Sequence, residues 1–183
     1  KNSMSIPALK RLSLPLKIKY AVNTENKFMK TFTQLVENAL KHIEEVFPWD
    51  LEEQLNNPHE DMILLDVREA DEFNDFHIQG SLNAPRGILE TCCEYGFEET
   101  IPTLANARNT KVVIICRSGN RSALAAHTMQ MMGFEHLYSV QTGIRGWNDY
   151  ELPLYNGQGE IVDIDRVDEQ LGRAIPAEKL RPQ

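Results

Sequence analysis

The sequence predicts an α/β protein with three layers, a central and mostly parallel sheet carrying helices on both faces. Two observations predict it. Met62 to Arg68 and Val112 to Ile115 are short, largely apolar runs of the kind that form buried strands. Segments of helical spacing or helix-forming composition lie between the strand-like runs, and strands alternating with helices imply parallel crossovers. The 183 residues fit one domain of ordinary size with an extension at each end.

In chain order, residues 1–22 carry Pro7 and Pro15 without periodicity and read as an extended arm. Asn23 to Asn26 offer caps for an amphipathic helix over 27–46. There Phe28, Phe32, Leu35, Val36, Ala39, Leu40 and Ile43 recur at helical spacing. Pro48 breaks it, Asp50 caps a second helix through Asn56, and Pro58 ends that one. The strand over 62–68 ends in charged residues, at the edge where open α/β sheets place their sites. Ala70 to Phe76 follows as a short helix, and His77 to Pro85 as a turn and short strand. A helix over 88–97 places Cys92 and Cys93 near its middle as structural cysteines, since nothing nearby activates a thiol. Leu104 to Asn109 leads to the strand ending at Ile115. A helix from Ser122 to Met132 stops at Gly133. Leu137 to Val140 is a further strand, and Thr142 to Trp147 turns into a short closing helix ending before Pro153. In the polar tail, Ile161, Val162, Ile164, Val167 and Leu171 lay a short strand or helix on the domain. The division expected is an arm and helix over 1–46, one domain over 47–154 and an extension over 155–183.

Composition excludes several classes. Hydrophobic residues make up 42% and charged residues 25%, as in ordinary globular chains. The net charge of -8 argues against a nucleic-acid binder. No apolar run approaches the ~20 residues of a transmembrane helix. Cys92, Cys93 and Cys116 are odd in number, two of them adjacent, with no metal-ligand spacing, so a disulfide scaffold is not expected. A reducing, cytoplasmic setting follows, with no metal and no cofactor implied.

The chemistry concentrates in Cys116-Arg117-Ser118-Gly119-Asn120-Arg121-Ser122, a tight loop between strand and helix. A loop wrapped around Cys116 would aim backbone N–H groups and a helix N-terminus at its sulfur. Arg117 and Arg121 add two cations beside it, and each factor favours thiolate over thiol. A lone cysteine is ordinarily a small hydrophobe and a lone arginine a solvated charge. A cysteine ending a core strand, followed by Arg, Gly, Arg and a helix start, points instead to a nucleophile in an anion pocket.

Three blocks together resemble the rhodanese (sulfurtransferase) family. Leu64-Leu65-Asp66-Val67-Arg68-Glu69, with Glu72-Phe73 and His77 to Pro85, is similar to the family's first signature. The Cys116 to Ser122 loop resembles its active-site loop. Gly133-Phe134, Val140, Gly143-Ile144, Trp147 and Leu152-Pro153 resemble its second signature, so the likeness runs from Phe47 to Leu154. The resemblance implies a rhodanese-like fold and ping-pong chemistry. Cys116 takes a sulfur from an anionic donor such as thiosulfate and passes it, as a persulfide, to cyanide, a thiol or a protein cysteine. Arg117, Ser118, Gly119, Asn120, Arg121 and Ser122 would bind the donor and the persulfide. The family's thiosulfate enzymes have Arg after the cysteine, as here, but Ser118 stands in place of Lys, Asn120 in place of Val, and Thr142 in place of the first Gly of a pair.

Asp66 and Arg68 resemble the family's Asp-x-Arg. Arg68 is a candidate for substrate binding and for a buried ion pair with Glu69 or Glu72. His77 and His127 read as structural. Two rivals stand beside the sulfurtransferase: a non-catalytic sulfur-carrier or interaction module, and a phosphatase or arsenate reductase. The last two place five residues between Cys and Arg, whereas four separate Cys116 from Arg121. The helix over 27–46 and the tail after Leu154 supply surfaces for a homodimer or a sulfur-relay partner.

Overall fold

The computed structural model describes residues 30–57 and 61–180. The expected arm, Asn23 to Asn26 with the first turn of the helix after them, and Pro58 lie outside the described residues. Five strands form one all-parallel sheet: β1 (Glu44–Val46), β2 (Met62–Asp66), β3 (Leu82–Asn83), β4 (Lys111–Ile115) and β5 (Leu137–Val140), in the order β1-β5-β4-β2-β3. Eight helices accompany it among the described residues: α1 (Phe32–Ala39), α2 (Pro48–Asn56), α3 (Ala70–Asp75), α4 (Leu89–Cys92), α5 (Pro102–Ala105), α6 (Asn120–Met131), α7 (Gly143–Asp149) and α8 (Ile164–Leu171). None of them is long and apolar enough to cross a membrane.

The central strands bury both faces, as their composition requires. Along β4, Val112 and Ile114 enter one core with Ala125, Ala126 and Met129 of α6. Val113 and Ile115 enter the other with Leu51 of α2 and Ile144 and Trp147 of α7. The period of two continues into Cys116, which falls in the α6-side core. Val162, Val167 and Leu171 of the polar tail are buried in the α7-side core, with α8 docked on α7.

Several boundaries differ from expectation. The helix expected to reach residue 46 ends at Ala39, and Glu44–Val46 becomes an edge strand parallel to β5. Sheet pairing there overrides a helical period, leaving Phe32 and Leu35 exposed while Val36 and Ala39 are buried where α1 meets α6. Asp50 does not cap α2; Pro48 opens that helix behind Phe47, and Asp50 lies in its first turn. The helix expected over 88–97 stops at Cys92, and the chain turns through Gly96 at φ +98°. Helix α6 begins at Asn120, two residues early, so Arg121 and Ser122 lie in its first turn.

Candidate active site

Cys116 follows the last residue of β4, at the carboxyl edge of the sheet, and is buried. Two amides of α7 fix the loop from below: Ile144 N donates to the Cys116 carbonyl at 2.8 Å and Arg145 N to the Arg117 carbonyl at 3.0 Å. The approach is close enough that Gly143, at φ +59°, has no room for a Cβ. Gly119, at φ +87°, then turns the chain into α6. Among the described residues, none of the six amides from Arg117 to Ser122 donates to another protein group; the first to do so is Ala123 N, to the Gly119 carbonyl. Ser118 and Asn120 are exposed at the rim, while Gly119 and Ser122 are buried. The loop therefore presents a run of unpaired N–H donors at a helix N-terminus, an anion cradle by construction.

Beneath the sulfur lies a hydroxyl pair. Cys116 Sγ is 3.4 Å from Ser122 Oγ, Ser139 Oγ donates to Ser122 Oγ at 2.8 Å, and Ser122 Oγ donates to the Gly119 carbonyl at 3.0 Å. All three hydroxyl and sulfur groups belong to buried residues, so each partner matters. Sequence reasoning missed Ser139; its only signal is a lone hydroxyl in a buried position of an apolar strand.

The two loop arginines are engaged elsewhere than expected. Arg121 makes a two-pronged bridge to Glu72, Nη1 to Oε2 at 2.6 Å and Nη2 to Oε1 at 2.9 Å. That hydrogen bond holds the Arg121 guanidinium above its ordinary range against the opposing effect of burial, with Glu72, Cys116 and Asp66 adding favourable charge. Burial by itself would raise Glu72, yet the Arg121 bond and charge, the Glu69 amide and Arg68 leave its carboxyl below the ordinary range. Arg117 Nη2 donates to the Leu171 carbonyl at 2.6 Å, and Arg145 Nη2 reaches the same oxygen at 2.7 Å. Neither loop guanidinium bonds the sulfur. Glu72 entered the sequence reading as a partner for Arg68, and the Leu171 carbonyl, 54 residues from Arg117, left no local sign.

Arg68 is buried and pairs with Asp66, in place of the expected Glu69 or Glu72. Its Nε and Nη2 reach the Asp66 carboxylate at 3.0 and 2.6 Å, and Nη2 also donates to the Phe76 carbonyl at 2.6 Å. The structure thus brings Cys116, the loop amides and Ser122 together, and sets Arg68 to one side with Asp66. His77 bonds the Phe73 carbonyl through Nδ1 at 2.9 Å, and His127 stacks on His42. Cys92 and Cys93 are buried free thiols; burial, the larger effect in both, raises the first and pushes the second up to about 12, which makes them inert.

A five-stranded parallel α/β sheet whose central strand ends at a cysteine, beside a loop whose amides have no protein acceptor among the described residues, is the architecture the structure shows. The chain belongs to the rhodanese family: the rhodanese-like domain matches residues 48–150. It is 36% identical over 88 residues to a putative sulfur carrier protein of Bacillus subtilis, a match taking in 48% of this chain and 42% of that one. With the thiosulfate sulfurtransferase GlpE of Glaesserella parasuis the identity is 29% over 114 residues, 62% of this chain and 94% of the other. A solved structure from Rhodopseudomonas palustris, of a protein of unknown function described as a possible tyrosine phosphatase, superposes with a TM-score of 0.63. That protein is 27% identical, and the likeness covers 69% of this chain and 96% of that one.

Proposed function

We propose that the chain is a sulfurtransferase that carries sulfane sulfur on Cys116. The observation that carries the reading is the run of six amides, Arg117 to Ser122, that donate to no protein group among the described residues. Backbone N–H groups are strong donors that seek acceptors, and in this reading an outer persulfide sulfur on Cys116 is the anion that accepts them. The Cys116 thiolate attacks the outer sulfur of thiosulfate, that sulfur's bond to the sulfonate breaks, and sulfite leaves with the electron pair. Cyanide, a thiol or a protein cysteine then attacks the persulfide's outer sulfur, and the Cys116 thiolate is released. Amide donors aimed at the charge hold the intermediate, as an oxyanion hole does. Arg117 adds positive charge for the donor while Arg121, paired with Glu72, frames the first turn of α6, with Ser118 and Asn120 at the rim and Arg68 beside it. Three free cysteines suit a reducing, cytoplasmic setting.

Two other readings have an observation behind them. The Bacillus relative's name favours a sulfur carrier. The Rhodopseudomonas description favours a phosphatase, against which stands the four-residue gap between Cys116 and Arg121. Initial rates with varied thiosulfate and cyanide separate the three. Thiocyanate release with parallel double-reciprocal lines is the expected result. A single loading without turnover would make the chain a carrier, and hydrolysis of p-nitrophenyl phosphate without thiocyanate would make it a phosphatase.

A further inference from the structure

Beside the loop, between α3 and the end of α8, lies an open cleft of about 340 Å³ lined by charges of both signs. Helix α3 contributes Asp71, Glu72 and Asp75; the loop contributes Arg117, the residue after the nucleophile, and the chain beyond α8 contributes Arg173. Cys116 itself does not line the cleft. Glu72 is neutralised by Arg121, but Asp71, Asp75, Arg117 and Arg173 form no ion pair among the described residues. Arg68 also lines it. Its side chain is 1% exposed, its Nε and Nη2 are satisfied by Asp66 and Phe76, and its Nη1 has no protein acceptor among the described residues. A buried guanidinium with one open donor is a built half of a carboxylate site.

A simple anion in this cleft would face Asp71 and Asp75, and a simple cation would face the arginines. A ligand with both charges satisfies both sets. We propose that the cleft holds the sulfur acceptor, and that the acceptor is a small zwitterionic thiol of the amino-acid or short-peptide type. The assignment rests on the sulfurtransferase reading. The acceptor's carboxylate meets Arg117, Arg173 and the Arg68 Nη1, and its ammonium meets Asp71 and Asp75. The volume lies within the ~300–1,000 Å³ usual for small-molecule sites. Gln170, Leu171 and Arg173 lie beyond the 48–150 segment that defines the family domain, so this wall belongs to the chain's own C-terminal segment. In the transfer, the acceptor thiolate attacks the outer sulfur of the Cys116 persulfide, the S–S bond breaks, and its electron pair returns to Cys116. The acceptor leaves as a persulfide anion, with no outside oxidant or reductant.

The test uses the full chain. With thiosulfate as donor, kcat/KM is measured for cysteine, glutathione, cysteamine and 3-mercaptopropionate. Cysteine or glutathione is expected to exceed the two singly charged thiols by about tenfold or more, and which of the two leads decides between amino acid and peptide. Asp75→Asn and Arg173→Gln, both at exposed positions, are each expected to raise KM for the zwitterions about fivefold while kcat changes little. Values within about twofold across all four thiols, or variants with native KM, would overturn the proposal. Calorimetric titration with S-methylcysteine and S-methylglutathione reads the cleft without catalysis. Binding without sulfur turnover would sink the sulfurtransferase reading alone, whereas turnover with cyanide but no binding of either probe would sink the cleft alone.

Discussion

At Gly143 a missing side chain sets the position of the nucleophile. A Cβ there would stand 2.2 Å from the Cys116 carbonyl oxygen and 2.8 Å from Ser118 N, and φ +59° is a left-handed value in any case. Both obstacles are backbone, so no rotamer relieves them. Gly143→Ala is expected to cost about 1–3 kcal/mol of stability in urea denaturation and to abolish sulfur loading, because the loop must move away from α7. Native stability with full loading would contradict this. Thr142, beside it, holds φ +62° with a β-branched side chain, at a cost of roughly 1–2 kcal/mol; the sequence marked it as a departure from a glycine pair. Cys116 and its loop stood out in the sequence because the chemistry proposed for them restricts those positions to few residue types, whereas Gly143 stood out only through the family resemblance. Ser139 did not, because its hydroxyl matters only through the Ser122 and Cys116 atoms that the fold sets above it.

Between elements, the Glu72–Arg121 bridge ties α3 to the first turn of α6. Burial opposes the Glu72 charge, but the Arg121 bond and neighbouring charges win, so its folded value lies below the ordinary 4.5. A carboxyl lowered on folding stabilises the protein fully above its ordinary value and loses that contribution as pH falls through the folded one. Glu72→Gln is therefore expected to be less stable than the native protein near neutral pH, and the gap is expected to close as the medium is acidified below 4.5. Urea melts at the two conditions read the difference directly; a gap that persists in acid would assign the loss to packing instead. The strands β2, β4 and β5 were legible from their apolar runs. The edge strand β1 was not: Glu44 and Glu45 are exposed and only backbone pairing with β5 makes them a strand. The long periodic run before them therefore reads as one helix. The apolar residues of α8 were noticed, but the burial of Val167 and Leu171 in the α7-side core depends on a surface that no local pattern reveals.

On the scale of the molecule, β4 lies between β5 and β2 in the all-parallel sheet, and its carboxyl end is where such sheets hold ligands. The chain as a whole carries a charge of -8, yet at Cys116 the loop brings six backbone amides with no protein acceptor among the described residues to the N-terminus of α6, while its two arginines turn to Glu72 and to the Leu171 carbonyl. The proposed transfer requires that Cys116 hold the sulfur. The intact mass of the native protein and of Cys116→Ser, each before and after thiosulfate, measures it. A gain of one sulfur atom in the native protein, reversed by cyanide and absent from the variant, is the predicted result. An unchanged native mass, or the same gain in Cys116→Ser, would contradict it.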